Sequence, residues 1–159
     1  DMISWLRAVA GQEQALIPAG TRITVGFDTG DSGTESIPVA FEPSLLERAV
    51  RNLIRNGIRY ADSRVLVTVE AVSDSARTGK ENDMSTGIRI YIDDDGPGID
   101  ESFYEKIFEP FFRVDDSRNR RTGGYGLGLA IVRRIVRAHD WDISVSRSPM
   151  GGARFTILV

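Results

Sequence analysis

A two-layer α/β sandwich, whose mixed and mostly antiparallel sheet carries its helices on one face, is the fold the sequence predicts. Three observations lead there. Segments of period near two and period 3.6 follow one another in the order β, β, α, β, β, α, α, β, β, which is not the strict alternation of a doubly wound fold. Residues 44–60 carry one apolar stripe, as a helix lying on a sheet does. Arg64 to Val72 and Ile88 to Asp93 alternate and are rich in β-branched residues, as a hairpin half-covered by helices would be.

Element by element, Met2, Trp5, Leu6, Val9 and Ala10 recur at helical spacing, and the pattern stops near Gly11 and the breaker Ile17-Pro18-Ala19-Gly20. Thr21 to Phe27 alternates as a strand does; Asp28 to Ser36 is a Gly/Ser/Asp loop, and Ile37 to Ala40 reads as a short strand. Ser44 with Glu47 has the spacing of a capping box, so a helix should start there and run to about Tyr60. Leu46, Ala49, Val50, Leu53, Gly57 and Tyr60 form its stripe, bordered by Asn52, Asn56 and Arg59. The two strands that follow are joined by the polar stretch Ser73 to Gly87. Asp93-Asp94-Asp95-Gly96-Pro97-Gly98 ends the second strand in a tight turn, Glu101 to Ile107 is a short helix, and Phe108 to Phe112 is an aromatic cluster. Arg113 to Gly123 is a basic loop feeding a helix from Leu127 to Ala138; Asp142 to Ser146 and Ala153 to Val159 are strands around Ser148-Pro149-Met150-Gly151-Gly152.

Composition narrows the function classes. At 159 residues, 41% hydrophobic and 27% charged, the chain is an ordinary globular domain able to bury a core unaided. It has no cysteine and one histidine, which excludes thiol nucleophiles, disulfides and Cys- or His-rich metal sites. A net charge of −3 gives no global field for nucleic acid or anionic lipid, so an anionic ligand must be held locally. No apolar run reaches the roughly 20 residues of a membrane span. The opening Asp1-Met2 shows no translation start, and the chain reads as a piece of a longer polypeptide.

Three groups of residues invite a chemical reading. Gly124-Tyr125-Gly126-Leu127-Gly128-Leu129 precedes a helix, where glycines let backbone N–H groups and the positive helix end approach an anion; a flexible loop is the plain alternative. It is neither a P-loop, which requires Gly-Lys-Ser/Thr, nor a Rossmann fingerprint, which needs a third glycine where Leu129 stands. Asp94 is either a solvated turn acid or a buried acceptor for an exocyclic amine such as that of adenine, with Gly96 and Gly98 leaving room for a flat ring. Asn52 and Asn56, one turn apart, are either surface amides or hard oxygen ligands for Mg²⁺.

Read in order, Asn52 to Tyr60, Asp94 to Ile99, Phe108 to Arg113 and Gly124 to Val132 resemble the N, G1, F and G2 boxes of the catalytic ATP-binding domain of sensor histidine kinases. The resemblance covers roughly Phe41 to Val159 and implies the Bergerat fold, an α/β sandwich. It divides the chain into residues 1–20, the end of an upstream helix with its linker, and a catalytic domain over 21–159. It implies ATP and Mg²⁺ as ligands. Asn56 would coordinate Mg²⁺ with Asn52 assisting, and Arg59 and Tyr60 would reach the phosphates and the adenine edge. Asp94 would hydrogen-bond the adenine amine, and Gly96 and Gly98 would shape the adenine pocket. Gly126 and Gly128 would approach the phosphates, Ile99, Phe112, Arg113, Gly124, Leu127 and Leu129 would also bind the nucleotide, and Phe108 to Phe112 would hinge a lid. The lid arginines Arg118, Arg120 and Arg121 are either phosphate contacts or a solvated loop.

Gyrase-type, Hsp90-type and mismatch-repair ATPases share this fold but carry a glutamate, as general base for water, four residues before the metal-binding Asn. Here that position is Asn52, which takes no proton, so the resemblance implies phosphoryl transfer rather than hydrolysis. The nucleophile would be a histidine on a dimerisation domain of the same parent, with a response regulator as onward acceptor. His139, in Arg137-Ala138-His139-Asp140-Trp141, is read as a structural residue of a helix end. Asp140 and Trp141 replace the glycines usual after this helix, and Gly57 replaces an alanine, which weakens the helix by up to about 1 kcal/mol while leaving room near the ligand. The implied setting is cytoplasmic, in a membrane-bound homodimeric parent of the inner membrane, with no nucleic acid and no direct membrane contact by this chain. A GHKL-type ATPase and a non-catalytic nucleotide-sensing or interaction domain are the alternatives.

Overall fold

The computed structural model describes residues 1–29, 38–73, 86–114 and 125–159. Among them the elements run α1 (Met2–Ala15), β1 (Thr24–Asp28), α2 (Pro43–Tyr60), β2 (Arg64–Ser73), β3 (Thr86–Asp94), two 3₁₀ turns (Glu101–Phe103 and Lys106–Phe108), α3 (Gly128–Ala138), β4 (Asp142–Arg147) and β5 (Ala153–Leu158). The sheet order is β1-β2-β3-β5-β4. β1 pairs parallel with β2, Thr24 opposite Arg64, and the other pairings are antiparallel. The expected mixed, mostly antiparallel sandwich is the architecture found.

Strand alternation sorts the two faces. Val65, Val67 and Val69 on β2, Ile88, Ile90 and Ile92 on β3, and Ala153, Phe155 and Ile157 on β5 are buried in one core with Leu46, Ala49, Val50, Leu53 and Ile54 of α2 and Val132, Ile135 and Val136 of α3. The opposite face is mostly polar. There Arg154 grips Asp93 with two parallel bonds of 2.8 Å and lies 4.3 Å from the Tyr91 ring centroid.

Several local expectations are corrected. α1 passes through Gly11 and ends at Ala15, because Met2, Ile3, Leu6, Val9 and Ala10 bury one continuous stripe and Glu13 adds a buried ion pair; that outweighs the roughly 1 kcal/mol an exposed helical glycine costs. Met2, Ile3, Leu6, Val9 and Ala10 lie in the same core as α2 and the sheet. Pro38 to Ala40 form no strand, and Ile37 lies outside the described residues. The start of α2 is not a capping box. Pro43 takes the first turn, the Glu42 carboxylate accepts from the Ser44 N–H at 3.3 Å, and Glu47 turns to the Arg51 Nε at 2.8 Å. Residues 101–108 make two 3₁₀ turns instead of one helix, the first capped by Asp100 on the Ser102 N–H. Tyr60 leaves the stripe and is 53% exposed. The room at Gly57 faces β2 rather than a ligand: a Cβ there would meet both Val65 methyls at 3.1 Å.

Candidate nucleotide site

Between α2, the end of β3 and the start of α3 lies a cavity of about 480 Å³, within the range of small-molecule sites. α2 contributes Asn52, Asn56, Arg59 and Tyr60 to its wall, one edge of a helix whose opposite side is in the core. The turn after β3 contributes Asp94, Gly98 and Ile99, and the approach to α3 contributes Phe112, Arg113, Gly126, Leu127, Gly128 and Leu129. Thirteen residues expected at the site therefore line one space. Gly96 lies behind it, and Gly124 falls outside the described residues, as do Arg118, Arg120 and Arg121 and the central part of the lid.

Asp94 is the chemical centre of the floor. It is 4% exposed, and its Oδ1 accepts from the N–H groups of Gly96 at 2.9 Å and Ala153 at 3.2 Å. No described residue donates to Oδ2, which leaves one buried acceptor oxygen on a residue of the cavity wall. Burial pushes this carboxyl above the usual carboxylate range; the two backbone donors oppose the rise, and Asp95 and Asp93 add to it. The fit of the backbone around it is tight. A Cβ at Gly152 would stand 2.1 Å from Asp94 Oδ1, and a Cβ at Gly96 would stand 2.2 Å from the Tyr60 carbonyl oxygen.

Asp95 points the other way and builds the frame. Its Oδ1 accepts from the N–H groups of Asp62, Ser63 and Arg64, each at 3.0 Å, and its Oδ2 accepts from the Ser63 hydroxyl. Partial burial raises its pKa, but the Ser63 hydroxyl and the three backbone donors outweigh that and hold it at about 2. The turn joining α2 to β2 is thereby tied to the end of β3.

At the other wall, α3 opens at Leu127 with no side-chain cap and no acidic residue in its first turn. Its first amides are free to face an anion, with the positive helix end behind them. Gly126 has φ +69 and packs so closely on Phe111 that a Cβ would come within 2.8 Å of its carbonyl carbon; the Phe111 N–H donates to the Gly126 carbonyl at 2.9 Å. Phe111 itself sits at φ +67 and is 72% exposed, an unusual backbone conformation for a bulky residue. Arg55, Arg59 and Arg113 add positive charge to the lining. Among the described residues no three carboxylates or histidines come together as a metal cage. A divalent cation would rest on the amide oxygens of Asn52 and Asn56 and on the ligand's own oxygens, a donor set suited to Mg²⁺.

Sequence reasoning missed Arg55, Pro97, Ile107, Val114, Tyr125, Ile131 and Ala153 in the lining, and Gly152 beside Asp94. The Gly151-Gly152 pair directly before a strand was the available signal for the last two, since backbone crowding against a neighbouring strand end selects glycine. His139 lies away from this lining. Its Nδ1–H donates to the Ile135 carbonyl at 2.8 Å, and its Nε2 accepts the N–H of Glu42 at 3.2 Å.

Comparison with known proteins agrees with this architecture. Residues 41–159 match the family described as histidine kinase-, DNA gyrase B- and HSP90-like ATPase. The chain is 37% identical over 138 residues to sensor histidine kinase CpxA of Escherichia coli K12, covering 87% of this chain and 26% of that protein. It is 36% identical over 156 residues to sensor protein RstB of the same strain, covering 98% of this chain and 32% of that one. The chain thus spans about a quarter to a third of the length of these relatives. The catalytic domain of histidine kinase ThkA superposes with a TM-score of 0.73 at 24% identity, over 99% of this chain and 92% of that one.

Proposed function

Because the chain belongs to the histidine kinase-, DNA gyrase B- and HSP90-like ATPase family, we propose that it is the ATP-binding catalytic domain of a sensor histidine kinase. In this reading it binds Mg-ATP and passes the γ-phosphate to a histidine on a dimerisation domain of the same parent, for onward transfer to a response regulator. The observation that carries the proposal is a buried carboxylate with one oxygen that no described residue satisfies, lining the same cavity as a helix N-terminus without a side-chain cap among the described residues.

Asp94 Oδ2 accepts a hydrogen bond from the adenine amine, and the apolar side chains of Ile99, Ile107 and Phe112 cover the ring and keep water from it. The first amides of α3 and the guanidinium of Arg59 hold phosphate oxygens. Asn56, with Asn52 beside it, would hold Mg²⁺, which when bound neutralises phosphate charge. Asn52 is an amide and cannot accept a proton from water, so the site orients ATP without activating hydrolysis. An incoming imidazole nitrogen attacks the γ-phosphorus in line, the bond to the bridging oxygen breaks, and ADP leaves; placement and charge supply the catalysis. The need for ATP puts the domain in the cytoplasm, and the parent is read as a membrane-bound homodimer. No helix among the described residues is long and apolar enough to cross a membrane.

The test supplies a purified His-bearing helical domain with Mg-ATP and follows its phosphorylation. Transfer that Asn56→Ala abolishes is the expected result. Nucleotide binding without transfer would leave a non-catalytic sensor, and phosphate release as fast in the native chain as in Asn52→Glu would identify an ATPase.

A further inference from the structure

One residue of α2, Arg55, links α1 to the cavity. Glu13, near the end of α1, is 2% exposed, a burial a carboxylate tolerates only when paired. Its partners are two arginines of α2, one turn apart. Arg51 Nη1 bonds Glu13 Oε1, and Arg55 grips both oxygens, Nε to Oε2 at 2.9 Å and Nη2 to Oε1 at 3.0 Å. Burial raises the Glu13 pKa, but the two guanidinium groups outweigh it and hold the group below its usual range as a carboxylate.

Arg51 is fully engaged, its Nε on Glu47 and its Nη2 on Gln12. Arg55 is not. With Nε and Nη2 committed to Glu13, its Nη1 has no partner among the described residues, its side chain is 58% exposed, and it lines the cavity one turn from both Asn52 and Arg59. A guanidinium clamped on one edge by a carboxylate presents its remaining nitrogen in a fixed direction.

We propose that Arg55 contacts the polyphosphate of the bound nucleotide through Nη1 and that Glu13 of α1 is the positioning residue that aims it. The proposal rests on the nucleotide reading of the cavity and adds to it that the docking of α1 and the grip on phosphate depend on each other. Without Glu13, two like charges one helical turn apart would repel, and Arg55 would lose its direction.

Calorimetric titrations of the chain with a non-hydrolysable ATP analogue and with adenosine, at constant Mg²⁺, decide the matter. Arg55→Ala should weaken the analogue about tenfold and leave adenosine unchanged, the size of one charge-assisted contact. Glu13→Gln should weaken the analogue in the same selective way, and the double variant should bind no more weakly than Arg55→Ala alone. Should Glu13→Gln not fold, Glu13→Asp, which withdraws the carboxylate by one methylene, makes the same comparison. An unchanged ratio of analogue to adenosine affinity in Arg55→Ala would overturn the proposal while leaving the cavity's role intact, as would effects of the two substitutions that simply multiply. Failure of the folded native chain to bind either ligand would overturn the nucleotide reading and this inference with it.

Discussion

The backbone N–H of Ala153 donates to Oδ1 of Asp94 across 3.2 Å, so the first residue of β5 orients the carboxylate that ends β3, 59 positions earlier. Two central strands thereby fix which oxygen faces the cavity, before any ligand arrives.

In Asp94→Asn the same two N–H groups would claim the amide oxygen and turn the NH₂ toward the cavity. A donor would then face the adenine amine, itself a donor, and nucleotide affinity should fall at least about tenfold in a folded protein. Calorimetry with an ATP analogue checks this; unchanged affinity would mean that the adenine lies elsewhere. The substitution also has a pH signature. Because burial raises the Asp94 pKa in the folded state, the wild-type group binds its proton more tightly folded than unfolded. Its contribution to stability is therefore full below the ordinary carboxylate range and is lost as pH rises through the raised value. Melting curves from pH 4 to 7 should show Asp94→Asn gaining on the wild type as pH rises.

Asp95→Ala should act on the frame instead of the ligand. It removes an acceptor from three backbone N–H groups and a hydroxyl, a loss comparable to a helix cap and worth about 1 to 2 kcal/mol. The sign of the pH effect is opposite to that at Asp94. With a folded pKa of about 2, the wild-type group's ionisation adds on the order of 1 kcal/mol after solvent screening; this is present above about pH 4 and lost as pH falls toward 2. Denaturant titrations at pH 7 and pH 2.5 should show a smaller gap between Asp95→Ala and wild type at the lower pH.

Gly152→Ala should damage binding and stability together. Its methyl would stand 2.1 Å from Asp94 Oδ1 and 2.6 Å from the Gly96 nitrogen, so it must displace the carboxylate or break its bond to Gly96. Overpacking of this kind costs about 1 to 3 kcal/mol. Gly151→Ala has no atom within 4 Å of its Cβ and pays only for its φ of +104. Thermal melts with nucleotide titration should therefore show Gly152→Ala, unlike Gly151→Ala, losing ATP-analogue affinity; equal losses would show that the close approach to Asp94 is not what matters.

The contrast between these two glycines also shows where the sequence was legible. Alternation in Val65, Val67 and Val69 and the stripe from Leu46 to Ile54 report burial directly, so the sheet, α2 and α3 were readable from periodicity. Most of the cavity lining falls at three places that the sequence marks, the polar border of the α2 stripe, a strand end in Asp-Gly-Pro-Gly and a glycine-rich helix start, and the family resemblance of those segments is what joined them into one site. Signals that depend on distant partners were not. Glu13 looks like any helix acid until Arg51 and Arg55 meet it, 38 and 42 positions away, and Gly11 looks like a stop until that buried Glu13 two residues beyond it holds the helix on. Pro43 took the helix start from Ser44, since a proline in the first turn loses no hydrogen bond and Glu42 could cap behind it.

Phe111 and Gly126 make an exchange that stability measurements can read. Both have positive φ, and the Phe111 N–H bonds the Gly126 carbonyl at 2.9 Å. Phe111→Gly should relieve the left-handed strain and be neutral or stabilising by up to about 1 kcal/mol, because the side chain it removes is 72% exposed. Gly126→Ala should destabilise, since its methyl would press within 2.8 Å of the Phe111 backbone at a φ unsuited to alanine. If Phe111→Gly destabilises by more than 1 kcal/mol, the ring has a packing role the exposed surface does not reveal.

His139 provides the last test, because it is the one histidine in a chain read as a histidine kinase domain. A carbonyl can only accept, so the contact to Ile135 fixes the proton on Nδ1 and leaves the Nε2 lone pair to receive the Glu42 N–H. The nucleophilic nitrogen is thus occupied in joining the end of α3 to the start of α2, and the ring packs tilted against Trp141 with centroids 4.9 Å apart. His139→Ala should cost about 1 kcal/mol of stability for the lost cap and contact. Phosphorylation of a supplied His-bearing domain should proceed unchanged in the folded variant, and the chain alone should take up no acid-labile phosphate. Label on the isolated wild type that disappears in His139→Ala would instead make this histidine a phosphoacceptor, and would require the Glu42 bond to open during turnover.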